Sequence, residues 1–124
     1  MSSFKWLNYF TLILIATACS NPTPAFDDVD LQSWKDDKGG CNGRREAMLT
    51  AIDNQKDKLL SLREAEVIEV LGKPDENELY KRNQKFFYYQ LQPANDCPGS
   101  GVERPKKLVI RFNAMGLAKE VSIE

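Results

Sequence analysis

Val70-Leu71-Gly72-Lys73-Pro74-Asp75 divides the chain into two kinds of pattern. Before it, apolar residues recur with helical spacing. After it, they alternate. Gly72 can take the left-handed conformation that ends a helix, and Pro74 forbids continuation. Working backward, Ser61-Leu62-Arg63-Glu64 has capping-box spacing, so a helix capped by Ser61 is predicted to carry Ala65, Val67, Ile68, Val70 and Leu71. Further back, Arg44 to about Leu60 reads as one helix. Its apolar stripe is Met48, Ile52 and Gln55 with Leu49 and Ala51.

Working forward, the period becomes two. Glu78 to Arg82 is a short strand, and Arg82-Asn83-Gln84-Lys85 a turn. Phe86-Phe87-Tyr88-Tyr89-Gln90-Leu91 is an aromatic strand. Gln92 to Pro105 is a loop rich in Pro and Gly. Lys107 to Phe112 and Leu117 to Ile123 are strands joined by the hairpin loop Asn113-Ala114-Met115-Gly116. The fold class is therefore α+β: two helices on one face of a three- to four-stranded antiparallel sheet. Alternation sends Phe87, Tyr89, Leu91, Leu108, Ile110, Phe112, Leu117, Val121 and Ile123 inward. Phe86, Tyr88, Val109 and Arg111 go to the opposite face.

Composition removes several functions. With 17 Lys+Arg against 18 Asp+Glu, the formal charge is −1, so no basic field holds nucleic acid. There is no His, which removes the commonest general base and every Ser-His or Cys-His nucleophile pair. Three Cys cannot make a four-thiolate zinc site. We expect no cofactor, no metal and no catalysis.

The N-terminus is an address. Lys5 is followed by the uncharged, mostly apolar run Trp6 to Ala18. As a helix this run is about 20 Å long, short of a bilayer core of about 30 Å. It has the length of a signal-peptide hydrophobic region. Ile15-Ala16-Thr17-Ala18-Cys19 resembles the lipobox of bacterial lipoprotein signal peptides. That resemblance implies removal of residues 1–18 and lipidation of the Cys19 thiol. An ordinary secretory signal cut near Ala18 is the alternative. Two or more acyl chains hold a protein stably on a membrane, whereas one binds marginally. Ser20, in place of the Asp that tends to retain such proteins at the inner membrane, suggests the bacterial outer membrane, with the domain in the periplasm. Pro22 and Pro24 favour extended structure, so residues 19–30 are read as lipidated Cys and tether, and 31–124 as the domain.

Cys41 and Cys97 remain as a pair, and an even pair in an exported domain suggests a disulfide. The loop it closes, about 56 residues, is worth roughly 4 kcal/mol on the chain-entropy model. A redox-active pair and two free thiols are the alternatives. Asp27-Asp28-Val29-Asp30 and Asp36-Asp37 read as solvated acidic loops rather than Ca²⁺ ligands, since neither matches an EF-hand. Lys35 to Gly40 reads as loop, and Arg44-Arg45 as an exposed pair or an anion site at a helix start.

The order lipobox, Ser61 to Val67, Val70-Leu71-Gly72-Lys73-Pro74, aromatic strand, and closing hairpin with Phe112 and Gly116 resembles the SmpA/OmlA domain. This is the BamE-like family of small outer-membrane lipoproteins, related in fold to β-lactamase-inhibitor protein. The resemblance covers about Ser61 to Ile123. It implies a non-catalytic protein-binding module, with accessory subunit in β-barrel outer-membrane protein assembly as the nearest specific role. The alternative role is an inhibitor of an envelope or foreign enzyme. The expected partners are the membrane, through Cys19, and an envelope protein of the barrel-assembly machinery. Aromatic residues and Arg favour hot spots, so Phe86, Tyr88, Val109 and Arg111, with Trp34, are the candidate partner-binding residues. The competing reading has Trp34 and the Phe26 to Leu31 segment covering that face.

Overall fold

The computed structural model describes residues 23–99 and 101–124. The signal segment 1–18 and Cys19 lie outside these residues. Four strands, β1 (Glu76–Tyr80), β2 (Gln84–Gln90), β3 (Lys107–Phe112) and β4 (Ala118–Ile123), form an antiparallel meander in the order β1-β2-β3-β4. Helices α1 (Leu31–Asp36), α2 (Arg44–Ala47), α3 (Leu49–Gln55) and α4 (Glu64–Leu71) precede them in the chain. The domain is α+β with one core between helices and sheet.

Alternation on β2 and β3 sorts the core as the sequence predicts. Phe87, Tyr89, Leu108, Ile110 and Phe112 are buried. Their rings and branches meet Ile52 from α3 and Val67, Val70 and Leu71 from α4 in one cluster. Phe87 and Phe112 pack edge-on with centroids 4.7 Å apart. Burying each such side chain stabilises by about 1.5–3 kcal/mol.

Leu117 is corrected. A register shift between Arg111 and Phe112 places Phe112 opposite Ala118 and Arg111 opposite Glu120. Lys119 is the extra residue, so Ala118 turns inward and is buried, and Leu117 is only half-buried. β1 begins two residues earlier than predicted. A 3-10 turn at Lys81–Asn83, with Arg82 and Asn83 at φ 59° and 60°, takes the place of its last residues.

The helices depart further. The predicted 44-to-60 helix is three pieces: α2, α3 and a 3-10 turn at Lys56–Leu59. The Met48 N–H donates to Arg45 O, a tight i→i+3 bond that closes α2 before α3 starts. α4 starts after Arg63, not after Ser61. Ser61 stands at φ 68°, and its N–H donates to Ala118 O at 2.8 Å. The Ala118 N–H returns a bond to Leu62 O, so this segment is held as a bridge to β4. Half a capping box survives two residues on: the Arg63 N–H donates to Glu66 Oε1 at 3.2 Å. Arg has no acceptor for the other half. The stop is as read: Gly72 has φ 80°, and its N–H donates to Ile68 O.

The Lys35 to Gly40 loop is also corrected. Asp30 caps α1, accepting from the Gln32 and Ser33 N–H groups. Those bonds, Ser33 first, hold its carboxyl below the usual range. α1 exists to bury Trp34, which is 0% exposed. The indole N–H donates to Leu71 O at 3.1 Å, satisfying an orphan carbonyl at the end of α4. The incoming chain is docked as well. Phe26, Val29 and Leu31 pack on the core, and Gln55 bonds both the N–H and the carbonyl of Asp27. Phe26 to Leu31 is thus packed against the domain's core.

Candidate partner-binding face

The outer face of the sheet is built by register. Glu78 stands opposite Phe86, which stands opposite Arg111, which stands opposite Glu120. The next row is Glu76, Tyr88, Val109 and Ser122. The two aromatic rings stack with centroids 6.1 Å apart and planes 8° apart. Tyr80 adds an edge-on contact to Phe86 at 5.7 Å. A continuous aromatic stripe thus runs along the β1–β2 side of the face.

Charges frame the stripe. Lys107 Nζ lies 4.5 Å over the Tyr88 ring. The Tyr88 hydroxyl donates to Glu78 Oε2 at 2.9 Å. Burial first, and then this carboxylate, pushes the Tyr88 phenol up to about 12. Arg111 reaches Glu120 at 3.0 Å and Gln84 at 3.4 Å. The Arg111 hydrogen bond holds the Glu120 carboxyl below its usual range.

The candidate residues divide. Phe86, Tyr88, Val109 and Arg111 share the outer face. Val109 is only 6% exposed beneath its neighbours, so it is a floor and not a contact. Trp34 is a correction. It lies in the core on the opposite side of the sheet, 6.1 Å from the Tyr89 ring, and cannot touch a partner. The covering segment is corrected with it. Phe26, Val29 and Leu31 join the core on the helix side and leave the outer face uncovered among the described residues.

Cys41 and Cys97 are joined by a disulfide, with Cα atoms 5.4 Å apart. It ties the loop after β2 to the segment before α2. A cleft of about 590 Å³ opens beside it, with Lys38, Glu76 and Asp96 on its rim. Both sulfurs are in the bond, which leaves neither as a thiol nucleophile.

Arg45 is the residue the sequence hid. It is 1% exposed, neither a surface cation nor an anion site. Its guanidinium donates to Asp75 at 2.7 Å, Trp34 O at 2.9 Å and Gln90 O at 3.2 Å. It also lies 4.9 Å from the Trp34 ring. Asp37, read as a solvated loop acid, is fully buried and accepts from the Asn42 and Arg45 N–H groups. Asp75 accepts from Gly39 and Gln90 N–H groups as well. These bonds clamp the first helical segment to the end of the sheet. The approach is close: a Cβ on Gly40 would stand 2.9 Å from Gln90 O. No spacing rule could have paired Arg45 with an Asp 30 residues away.

Among the described residues, no three His, Cys, Asp or Glu side chains converge as metal ligands. None of their helices is long and apolar enough to cross a membrane. No family model, curated protein or solved structure matches this chain.

Proposed function

We propose that this chain is a lipid-anchored envelope protein that binds a protein partner through the outer face of its sheet and performs no catalysis. The observation that carries the reading is the Tyr80–Phe86–Tyr88 stripe, left uncovered by the segment available to cover it. Two half-buried aromatic rings continued by the exposed Tyr80, and framed by Arg, Lys and Glu, have the composition of an interface centre with a polar rim. The lipobox pattern ending at Cys19 supplies the anchor. The resemblance to SmpA/OmlA domains suggests the more specific role of accessory subunit in β-barrel assembly at the periplasmic side of the outer membrane.

The test is photo-crosslinking in native envelopes, with the probe at Tyr88 and a control at Glu66. Capture of a barrel-assembly subunit at Tyr88 alone supports the reading. Capture of a soluble hydrolase instead moves the assignment to an inhibitor. Absence of any Tyr88-specific product removes the outer face as the binding surface. Metabolic labelling with a fatty acid, lost in Cys19→Ser, tests the anchor separately.

A further inference from the structure

Among the described residues β1 pairs only with β2, which leaves it one free edge, and all five of its residues are exposed. Its side chains are not those of a strand built only for water. Leu79 is 76% exposed and Tyr80 51% exposed. On the outer face, Tyr80 continues the aromatic stripe. On the inner face, Leu79 stands opposite Lys85, and the helices do not reach over it. Lys85 pairs with Glu64 on α4 at 2.8 Å. One helical turn beyond Glu64, Ile68 is exposed too, the one α4 branched aliphatic that misses the core. An unpaired edge with apolar side chains beside it is a template for one more strand.

The charge pattern selects the occupant. Glu76 and Glu78 project from the outer side of β1, and both are exposed. Among the described residues neither makes an ion pair, and Glu78 accepts only the Tyr88 hydroxyl. A second copy would be a poor guest. Antiparallel pairing along the whole of β1 centres on Glu78 and sets that carboxylate against its own copy, and like charges directly opposite are destabilising. A strand with cations at those positions meets the opposite situation.

We infer that the free edge of β1 accepts, as a fifth strand, an extended segment of a partner protein that turns Lys or Arg toward Glu76 and Glu78 and an aliphatic side chain toward Leu79. The inference deepens the partner-binding reading and takes from it only that a partner exists. Main-chain hydrogen bonds supply the attachment, and the alternating side chains supply the choice of sequence. Arg or Lys on the outer side also comes within reach of the Tyr80 and Phe86 ring faces.

The test uses the full chain in a neutral detergent and a fluorescent, end-blocked octapeptide of alternating Lys and Val. An octapeptide of alternating Glu and Val is the control. Binding is followed by anisotropy at low salt, and the edge by amide hydrogen exchange. The expected result is saturable binding of the Lys/Val peptide alone, with slowed exchange of those β1 amides that face away from β2. Glu76→Lys with Glu78→Lys should weaken it by about tenfold or more. Both residues are exposed, so the fold should survive; an unchanged melting curve checks that. Leu79→Asn should weaken binding less.

The inference is overturned by equal binding of the Glu/Val peptide, by binding without β1 protection, or by no saturable binding. A concentration-dependent dimer that protects β1 without peptide also overturns it, in favour of a second copy. The two readings fail separately. A Tyr88 crosslink with no β1 protection sinks the edge and leaves the face. Protection of β1 without a Tyr88 crosslink leaves the edge and sinks the face.

Discussion

β2 carries two aromatic pairs of nearly the same composition, Phe87 with Tyr89 and Phe86 with Tyr88. The first pair is buried, and the Tyr89 hydroxyl donates to Gly72 O at 2.8 Å where α4 ends. The second pair is half-buried, and its hydroxyl donates to a solvent-facing carboxylate. One residue of displacement along a pleated strand separates a core ring from an outer-face ring. Residue type alone therefore says little about role here. The side of the sheet decides.

The comparison breaks most readily at its inner side. Phe87→Ala should cost about 3–5 kcal/mol, and Phe86→Ala less than about 1.5 kcal/mol. Urea midpoints of the two variants measure the gap, and equal losses would mean that the outer rings are core after all. Arg45 should behave as an inner residue despite its charge. Arg45→Ala removes a buried guanidinium and leaves the part-buried Asp75 without its ion-pair partner; it should cost about 3–5 kcal/mol, with Arg45→Met milder. The tyrosines sharpen the contrast at a smaller scale. Tyr89→Phe strands a carbonyl at the end of α4 and should cost about 1–3 kcal/mol, whereas Tyr88→Phe should stay within about 1 kcal/mol.

Titration gives the smallest effects. The folded pKa of Tyr88, about 12, lies above the ordinary phenol value of 10.0. Its contribution to stability is thus complete below the ordinary value and is lost as pH rises through the folded one. Tyrosinate absorbance should show two late-ionising phenols, since burial also pushes Tyr89 up, and Tyr88→Phe should remove one and leave the other. Glu120 runs in the other sense. Its pKa is lowered in the folded state, so its contribution is present above the usual carboxylate range and lost as pH falls through the lowered value. An NMR titration of wild type against Arg111→Gln should show the Glu120 midpoint return toward normal.

The sheet was legible because a period of two survives wherever one face is buried. β3 matches its predicted bounds, and the inward residues of β2 and β3 are all as read. The bulge at Lys119 was not legible, because an inserted residue leaves no mark on composition, and it put Ala118 rather than Leu117 opposite Phe112 in the core. α1 had a signal that charge obscured. Asp30 stands at an N-cap position, with Leu31 and Trp34 three apart, but Lys35 to Lys38 reads as solvent-facing. The Arg45 clamp had no signal at all, since its partners come from three separate parts of the chain: Trp34 with Asp37, Asp75, and Gln90. At the candidate face, Phe86, Tyr88 and Arg111 followed from alternation. Trp34 did not, because an isolated Trp carries no side until its helix is known.

The docking of Phe26 onto the core shortens the leash. Six residues, 20 to 25, separate it from Cys19. Even at full extension that stretch reaches only about 25 Å. With a lipid on Cys19, the Phe26 corner stays about one domain's width from the bilayer, for a body whose radius of gyration is about 13 Å. A domain so anchored could not range far from the bilayer. It would swivel in a thin layer, and any partner would have to come to that layer.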